Sequence, residues 1–255
     1  MNKVVFITGA TSGIGRACAY RFASEKYDII LSGRRVERLT ALAAELEDKF
    51  GIAAFSLPLD VRQQADVASA ITKLPEHFSR PDILINNAGL ALGLSPLHEG
   101  DPAHWDTMID TNIKGVLYMS KALLPGMIER KRGHIINIGS IAGREAYANG
   151  NGLPRRQAAI DSLTKSMRME LLPFGIKVTQ IAPGAVETEF SEVRFSGDTD
   201  RAKSVYKGFE PLREEDIANV VYFAASLPPH VNINDLLIMP TAQASGSMIH
   251  RESEK

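Results

Sequence analysis

Six short apolar runs punctuate the chain, at Val4 to Thr8, Ile29 to Ser32, Ala53 to Leu57, Ile83 to Ile85, His134 to Ile138 and Val178 to Ile181. They are apolar on both faces, so each reads as a strand covered on two sides. The stretches between them follow the helical period instead. Leu39, Leu42, Ala43 and Leu46 share one face, and so do Ile160, Leu163, Met167 and Leu171. Strands of this kind, each followed by an amphipathic helix, predict a parallel sheet of about seven strands covered on both faces, a doubly wound α/β fold. No low-complexity linker or repeat divides the sequence. The irregular polar stretch from about Ser191 to Lys207 reads as a loop or lid within one domain spanning residues 1–255.

Composition narrows the function more by exclusion than by suggestion. With 44% hydrophobic and 23% charged residues the chain is globular, neither disordered nor a coiled coil. Its 29 Lys+Arg against 30 Asp+Glu give a net charge of -1, with no basic stripe, so nucleic acid is not an expected partner. The single cysteine, Cys18, excludes an internal disulfide and a cysteine-based zinc site and fits a reducing compartment. His77, His98, His104, His134, His230 and His250 show no metal-ligand spacing, and no metal site is expected. The N-terminal residues lack a secretory pattern. No run approaches the ~18 apolar residues of a membrane span, and a cytoplasmic location is the expectation.

The first strand runs into Thr8-Gly9-Ala10-Thr11-Ser12-Gly13-Ile14-Gly15, and Ile14, Cys18 and Phe22 then share a helical face. Glycines there allow a tight turn and close approach of backbone to a pyrophosphate, which meets the free N–H groups and positive dipole end of the helix. The alternative is a plain strand-to-helix turn. The second strand ends in Ser32-Gly33-Arg34-Arg35, where a reader of the adenosine ribose is expected. An acid suits a free 2′-hydroxyl and a guanidinium fork suits a 2′-phosphate, so Arg34 and Arg35 favour NADP over NAD. The alternative is two solvated arginines opening a helix.

These residues carry a resemblance. Over essentially its whole length the chain resembles a short-chain dehydrogenase/reductase: Thr8-Gly9 to Gly15, Asp60-Val61, Asn86-Asn87-Ala88-Gly89, Asn112, Ser140 and Pro183-Gly184 fall in the family's order. Asn87 to Gly93, His134 to Ser140, Thr188-Glu189-Phe190-Ser191, Val193-Arg194-Phe195 and Pro229 to Asn234 are similar to the NADP-dependent 3-hydroxy acid dehydrogenases. The resemblance implies a Rossmann-type fold, NADP, and a substrate such as serine, allo-threonine or a related short hydroxy acid. It implies that Asp60 and Val61 contact adenine, Asn87, Ala88 and Gly89 the ribose side, and Pro183, Gly184 and Thr188 the nicotinamide end. It also implies a homo-oligomer, a tetramer packed through the helices around Trp105 to Met127 and Ala158 to Leu172.

The family's catalytic set is Asn, Ser and a Tyr-x-x-x-Lys pair; tyrosine moves the proton of the substrate hydroxyl, and the lysine cation brings its pKa down from about 10. Asn112 and Ser140 match. The pair does not: aligned on Ala158 to Lys165, the tyrosine position holds Leu153 and the lysine position Gln157. Leucine has no transferable proton and glutamine no charge. Tyr147 is a weak substitute because its i+4 partner is Asn151, and Arg155 or Arg156 offers a cation but no proton donor. The chain is therefore expected to be a poor catalyst, or an NADP-binding sensor or scaffold. Only Gly152-Leu153-Pro154-Arg155-Arg156-Gln157 departs from the pattern while both flanks fit, as a one-base insertion corrected about six codons later would produce. Arg144 and Arg194 are candidates for gripping a substrate carboxylate.

Overall fold

The computed structural model describes residues 2–93, 96–145, 153–190 and 198–252, with the side chains of 153–157 and 201–203 left aside. Seven parallel strands form one sheet in the order β3-β2-β1-β4-β5-β6-β7. They are β1 (Val4–Thr8), β2 (Asp28–Gly33), β3 (Ala54–Pro58), β4 (Ile83–Asn86), β5 (Gly133–Ile138), β6 (Ile176–Pro183) and β7 (Asp235–Ile238). The helices are α1 (Gly13–Ser24), α2 (Val36–Phe50), α3 (Gln64–Thr72), α4 (Pro102–Ile109), α5 (Gly115–Arg130), α6 (Leu153–Leu171), α7 (Thr199–Ser204) and α8 (Glu214–Ser226). This is the Rossmann-like architecture that the apolar runs predict.

The two-residue period of a strand explains why those runs are continuous. In β1, Val5 and Ile7 join a core with Phe22, Leu39, Leu46 and Val221 of α1, α2 and α8, while Val4 and Phe6 join a second core with Met119, Leu123 and Met167 of α5 and α6. Both sides of the strand are thus dry. Cys18 is packed in the first core, and burial pushes its thiol up to about 12, so it is no nucleophile at neutral pH.

Strand β7 is the one the apolar runs miss. It is a four-residue edge strand, half exposed, whose Asp235 pairs in register with Gln180 of β6. The stretch read as a loop or lid contains the short helix α7, and residues 191–197 lie outside the described ones. Among the described residues no helix is long and apolar enough to cross a membrane.

Candidate functional site

Strands β1 and β4 are neighbours, yet the chain leaves them toward opposite edges of the sheet. The loops at their carboxyl ends therefore part and open a crevice, the usual ligand position in such sheets. A cavity of about 390 Å3 lies there. Of the residues singled out in the sequence, Gly9, Thr11, Ser12, Gly13, Ile14, Arg34, Arg35, Asp60, Val61, Asn87, Ala88, Gly89, Asn112, Ser140, Pro183, Gly184 and Thr188 all line it. Gly15 does not. It sits behind the loop, where a Cβ would lie 2.4 Å from the Gly9 carbonyl oxygen, so its missing side chain is what lets α1 close onto β1.

The floor is the glycine-rich loop. Gly9 and Gly13 take φ of 66° and 53°, left-handed values that cost a side-chain-bearing residue about 1–2 kcal/mol. Ser12 stands at the N-cap of α1 without a side-chain cap bond, leaving the helix N-terminus open toward the cavity. The loop is tied to the β4 side: Asn87 Nδ2 donates to the carbonyls of Thr8 at 2.9 Å and Gly9 at 3.2 Å, and Thr8 Oγ1 accepts the backbone N–H groups of Asn87 and Ala88. Ser32 lines the cavity, and its Oγ is buried without a partner. Open N–H groups, a glycine cradle and an unpartnered hydroxyl fit a nucleotide with phosphate groups.

The rim is charged. Arg35 lies across the loop, with Nε and Nη2 donating to Thr11 Oγ1 at 2.9 and 2.7 Å and Nη2 to Ser12 Oγ at 2.6 Å. Arg62 holds both carboxylate oxygens of Asp60 at 2.9 Å through Nε, and these hydrogen bonds keep Asp60 below the ordinary carboxylate range, helped by the charge of Arg34. Glu189, Phe190 and Val186 also line the cavity. The sequence reading missed Glu189 as a site residue although it named its neighbour Thr188.

On the β5 side, Ser140 stands two residues beyond the strand and caps the short 3-10 turn Ile141–Gly143, its Oγ accepting the Ala142 N–H at 3.2 Å. Asn112 lies in a π-helical turn, Asp110–Lys114, between α4 and α5; such turns recur at functional sites. Its amide is spent on one residue, accepting from Leu90 N and donating to Leu90 O, both at 2.9 Å. Asn112 thus braces the loop after β4. Arg144, a candidate carboxylate grip in the sequence, is ion-paired to Asp235 of β7 and is not among the residues lining the cavity. Tyr147 and Arg194 lie outside the described residues, as do the side chains of Leu153, Arg155, Arg156 and Gln157. The backbone places Leu153 at the start of α6 and Gln157 four residues on, about one turn later.

The comparisons agree with this geometry. The chain is 45% identical over 251 residues to the NADP-dependent 3-hydroxy acid dehydrogenase YdfG of Escherichia coli (strain K12), covering 98% of this chain and 100% of that protein. It is 46% identical over 245 residues to sulfoacetaldehyde reductase 2 of Chromohalobacter salexigens, covering 96% of each. The closed form of serine dehydrogenase complexed with NADP+ superposes with a TM-score of 0.91 at 43% identity, covering 98% of this chain and all of that one. Residues 3–198 match the family model for short chain dehydrogenase. The chain belongs to the short-chain dehydrogenase family.

Proposed function

We propose that residues 1–255 act as one NADP-binding unit, an oxidoreductase by descent whose substrate class is short hydroxy acids and their carbonyl counterparts. The observation that carries the cofactor reading is the convergence, at one cavity, of the left-handed Gly9 and Gly13, the open N-terminus of α1 and the Arg35 guanidinium. NADP, when bound, supplies the hydride acceptor or donor. Gly9, Thr11, Ser12, Gly13 and Ile14 would cradle its pyrophosphate, and Arg34 and Arg35 its 2′-phosphate. Asp60 and Val61 would meet the adenine, Asn87 to Gly89 the ribose side, and Pro183, Gly184 and Thr188 the nicotinamide end. Ser140 orients the substrate oxygen, and Asn112 holds the wall opposite by fixing Leu90.

Proton transfer is the step this chain lacks. With Leu153 and Gln157 in the first two turns of α6 there is no phenol and no lysine at the positions the family resemblance assigns to them. Loss of general acid-base chemistry alone lowers turnover by about 10²- to 10⁴-fold. The second reading, a silent NADP-binding sensor or scaffold, rests on these same two residues. An assay of NADPH binding beside turnover separates them, with serine, 3-hydroxypropionate and the sulfonate analogue isethionate as substrates. Measurable slow turnover of a hydroxy acid supports the enzyme, and binding with none supports the sensor. Sequencing the source gene tests the frame-shift account of 152–157; an uninterrupted frame encoding Leu153 and Gln157 rules it out.

We also infer a homotetramer. Ile109 and Leu117 around α4 and α5, and Met169 and Leu172 at the end of α6, are large apolar side chains exposed on the monomer. A monomeric mass by light scattering at micromolar concentration would contradict it.

A further inference from the structure

The rim of the cavity holds a contact that the cofactor reading does not use. Glu189, six residues beyond the end of β6, reaches back to two arginines of the first half of the chain. Its Oε2 accepts from Arg35 Nη1 at 3.0 Å, and Arg38 Nη1 donates to Oε1 at 2.9 Å and Oε2 at 3.1 Å. Arg38 stands in the first turn of α2, and Arg34 and Arg35 just before that helix line the cavity, so Arg35 and Arg38 meet the same carboxylate at its rim. Burial alone would raise the Glu189 carboxyl, but the hydrogen bonds from Arg35 and Arg38 bring it below its ordinary range, so it is an anion. Its neighbour Thr188 faces Gly13 across the cavity.

One carboxylate therefore stands among the forks that a 2′-phosphate would need. We infer that Glu189 is a built-in competitor for the 2′-phosphate of NADP. It holds Arg35 and Arg38 until a 2′-phosphorylated nucleotide displaces it and frees Glu189 with its neighbours Thr188 and Phe190. This rests on the cofactor reading above. The chemistry is exchange of one oxyanion for another: a phosphate brings a charge of about -1.5 to -2 and three acceptor oxygens, against one charge and two oxygens for the carboxylate. A 2′-hydroxyl has no charge with which to displace Glu189, so NAD leaves the clasp closed. The contact thus couples recognition of the 2′-phosphate to release of residues at the nicotinamide end of the same cavity.

Exposed ion pairs are individually weak, so the competition is modest and measurable. In E189Q the amide keeps the size and loses the charge. Calorimetry should show NADPH and 2′,5′-ADP binding about three- to tenfold more tightly than to the unmodified chain, while NADH and 5′-ADP change less than twofold. A tryptophan reporter, F190W, should change its fluorescence on addition of 2′,5′-ADP and not of 5′-ADP. Unchanged or weaker NADPH binding in E189Q, an equal gain for 5′-ADP, or a reporter blind to the 2′-phosphate overturns the inference while leaving the cofactor reading intact. Failure of both proteins to bind NADPH overturns the cofactor reading, and the inference with it.

Discussion

The cavity has two walls, and they differ in how completely they are furnished. On the β1–β4 side, Asn87 ties to Thr8 and Gly9, Arg35 to Thr11 and Ser12, and Arg62 to Asp60, each by two or more hydrogen bonds. On the β5–β6 side Ser140 meets the cavity from its 3-10 turn, and in the strands below it, off the cavity lining, His134 Nδ1 and both amide atoms of Gln180 are buried without a partner. Only Ser32 Oγ among the described residues is in that condition on the other side. On the reading proposed above, the better-furnished wall holds the cofactor, and Leu153 and Gln157 stand where the poorer one would need its tyrosine and lysine. On that reading, binding and chemistry are separable by residue.

The sharpest way to break the comparison is to restore the poorer wall. L153Y with Q157K should raise turnover of a hydroxy acid by about 10²- to 10⁴-fold in a steady-state assay. L153Y alone should recover much less, because the phenol stays protonated near neutrality without its cation. Equal recovery by the single variant would show that another cation serves.

Removing the charge of the better wall should cost less. R34A with R35A should erase a preference for NADPH over NADH of about ten- to a hundredfold, read as the ratio of dissociation constants, because charge-assisted hydrogen bonds contribute about 1.5–3 kcal/mol. Retention of the preference would leave the 2′-phosphate to Arg38.

Stability separates the walls more finely. Replacing Gln180 by methionine removes an amide without partners and should raise stability by about 1 kcal/mol in urea unfolding, whereas N87A breaks two bonds to Thr8 and Gly9 and should lower it by about 1–3 kcal/mol. A loss in Q180M would mean that a bound water or ligand completes the amide.

The smallest effect concerns pH. Burial, helped by Lys177, pushes His134 down to about 3 from 6.5, while its Nε2 bonds Thr179 Oγ1 at 2.8 Å. The unfolded chain therefore takes up the proton first as pH falls. Stability is full above pH 6.5 and declines below it, by about 1 kcal/mol at pH 5.5. H134Q should flatten that decline; an unchanged slope would assign it to other groups.

How much of this was legible beforehand follows from where the information lies. Strands β1, β2, β4, β5 and β6 were readable because both their faces are buried, as Val4 to Ile7 illustrate, and the half-buried edge strand β3 because Ser56 alone interrupts its apolar run. β7 was not, since an edge strand of Asp-Leu-Leu-Ile shows neither a long apolar run nor alternation. The glycine-rich loop was readable because left-handed backbone demands a residue type. Glu189 was not: its partners Arg35 and Arg38 lie about 150 residues away, and no local rule links a glutamate after β6 to a turn after β2. The partner of Arg144 was not legible either, because a segment's resemblance says nothing of the side chain's direction, and Asp235 of β7 lies 91 residues away.

The most direct test uses the unmodified chain with no substitution. Titrate it with NADPH by calorimetry, then assay the same sample for oxidation of serine and 3-hydroxypropionate with NADP. Saturable NADPH binding with turnover at least a hundredfold below the L153Y/Q157K double variant is the predicted result. Ordinary dehydrogenase rates from the unmodified chain would contradict it, because another residue would then be moving the proton.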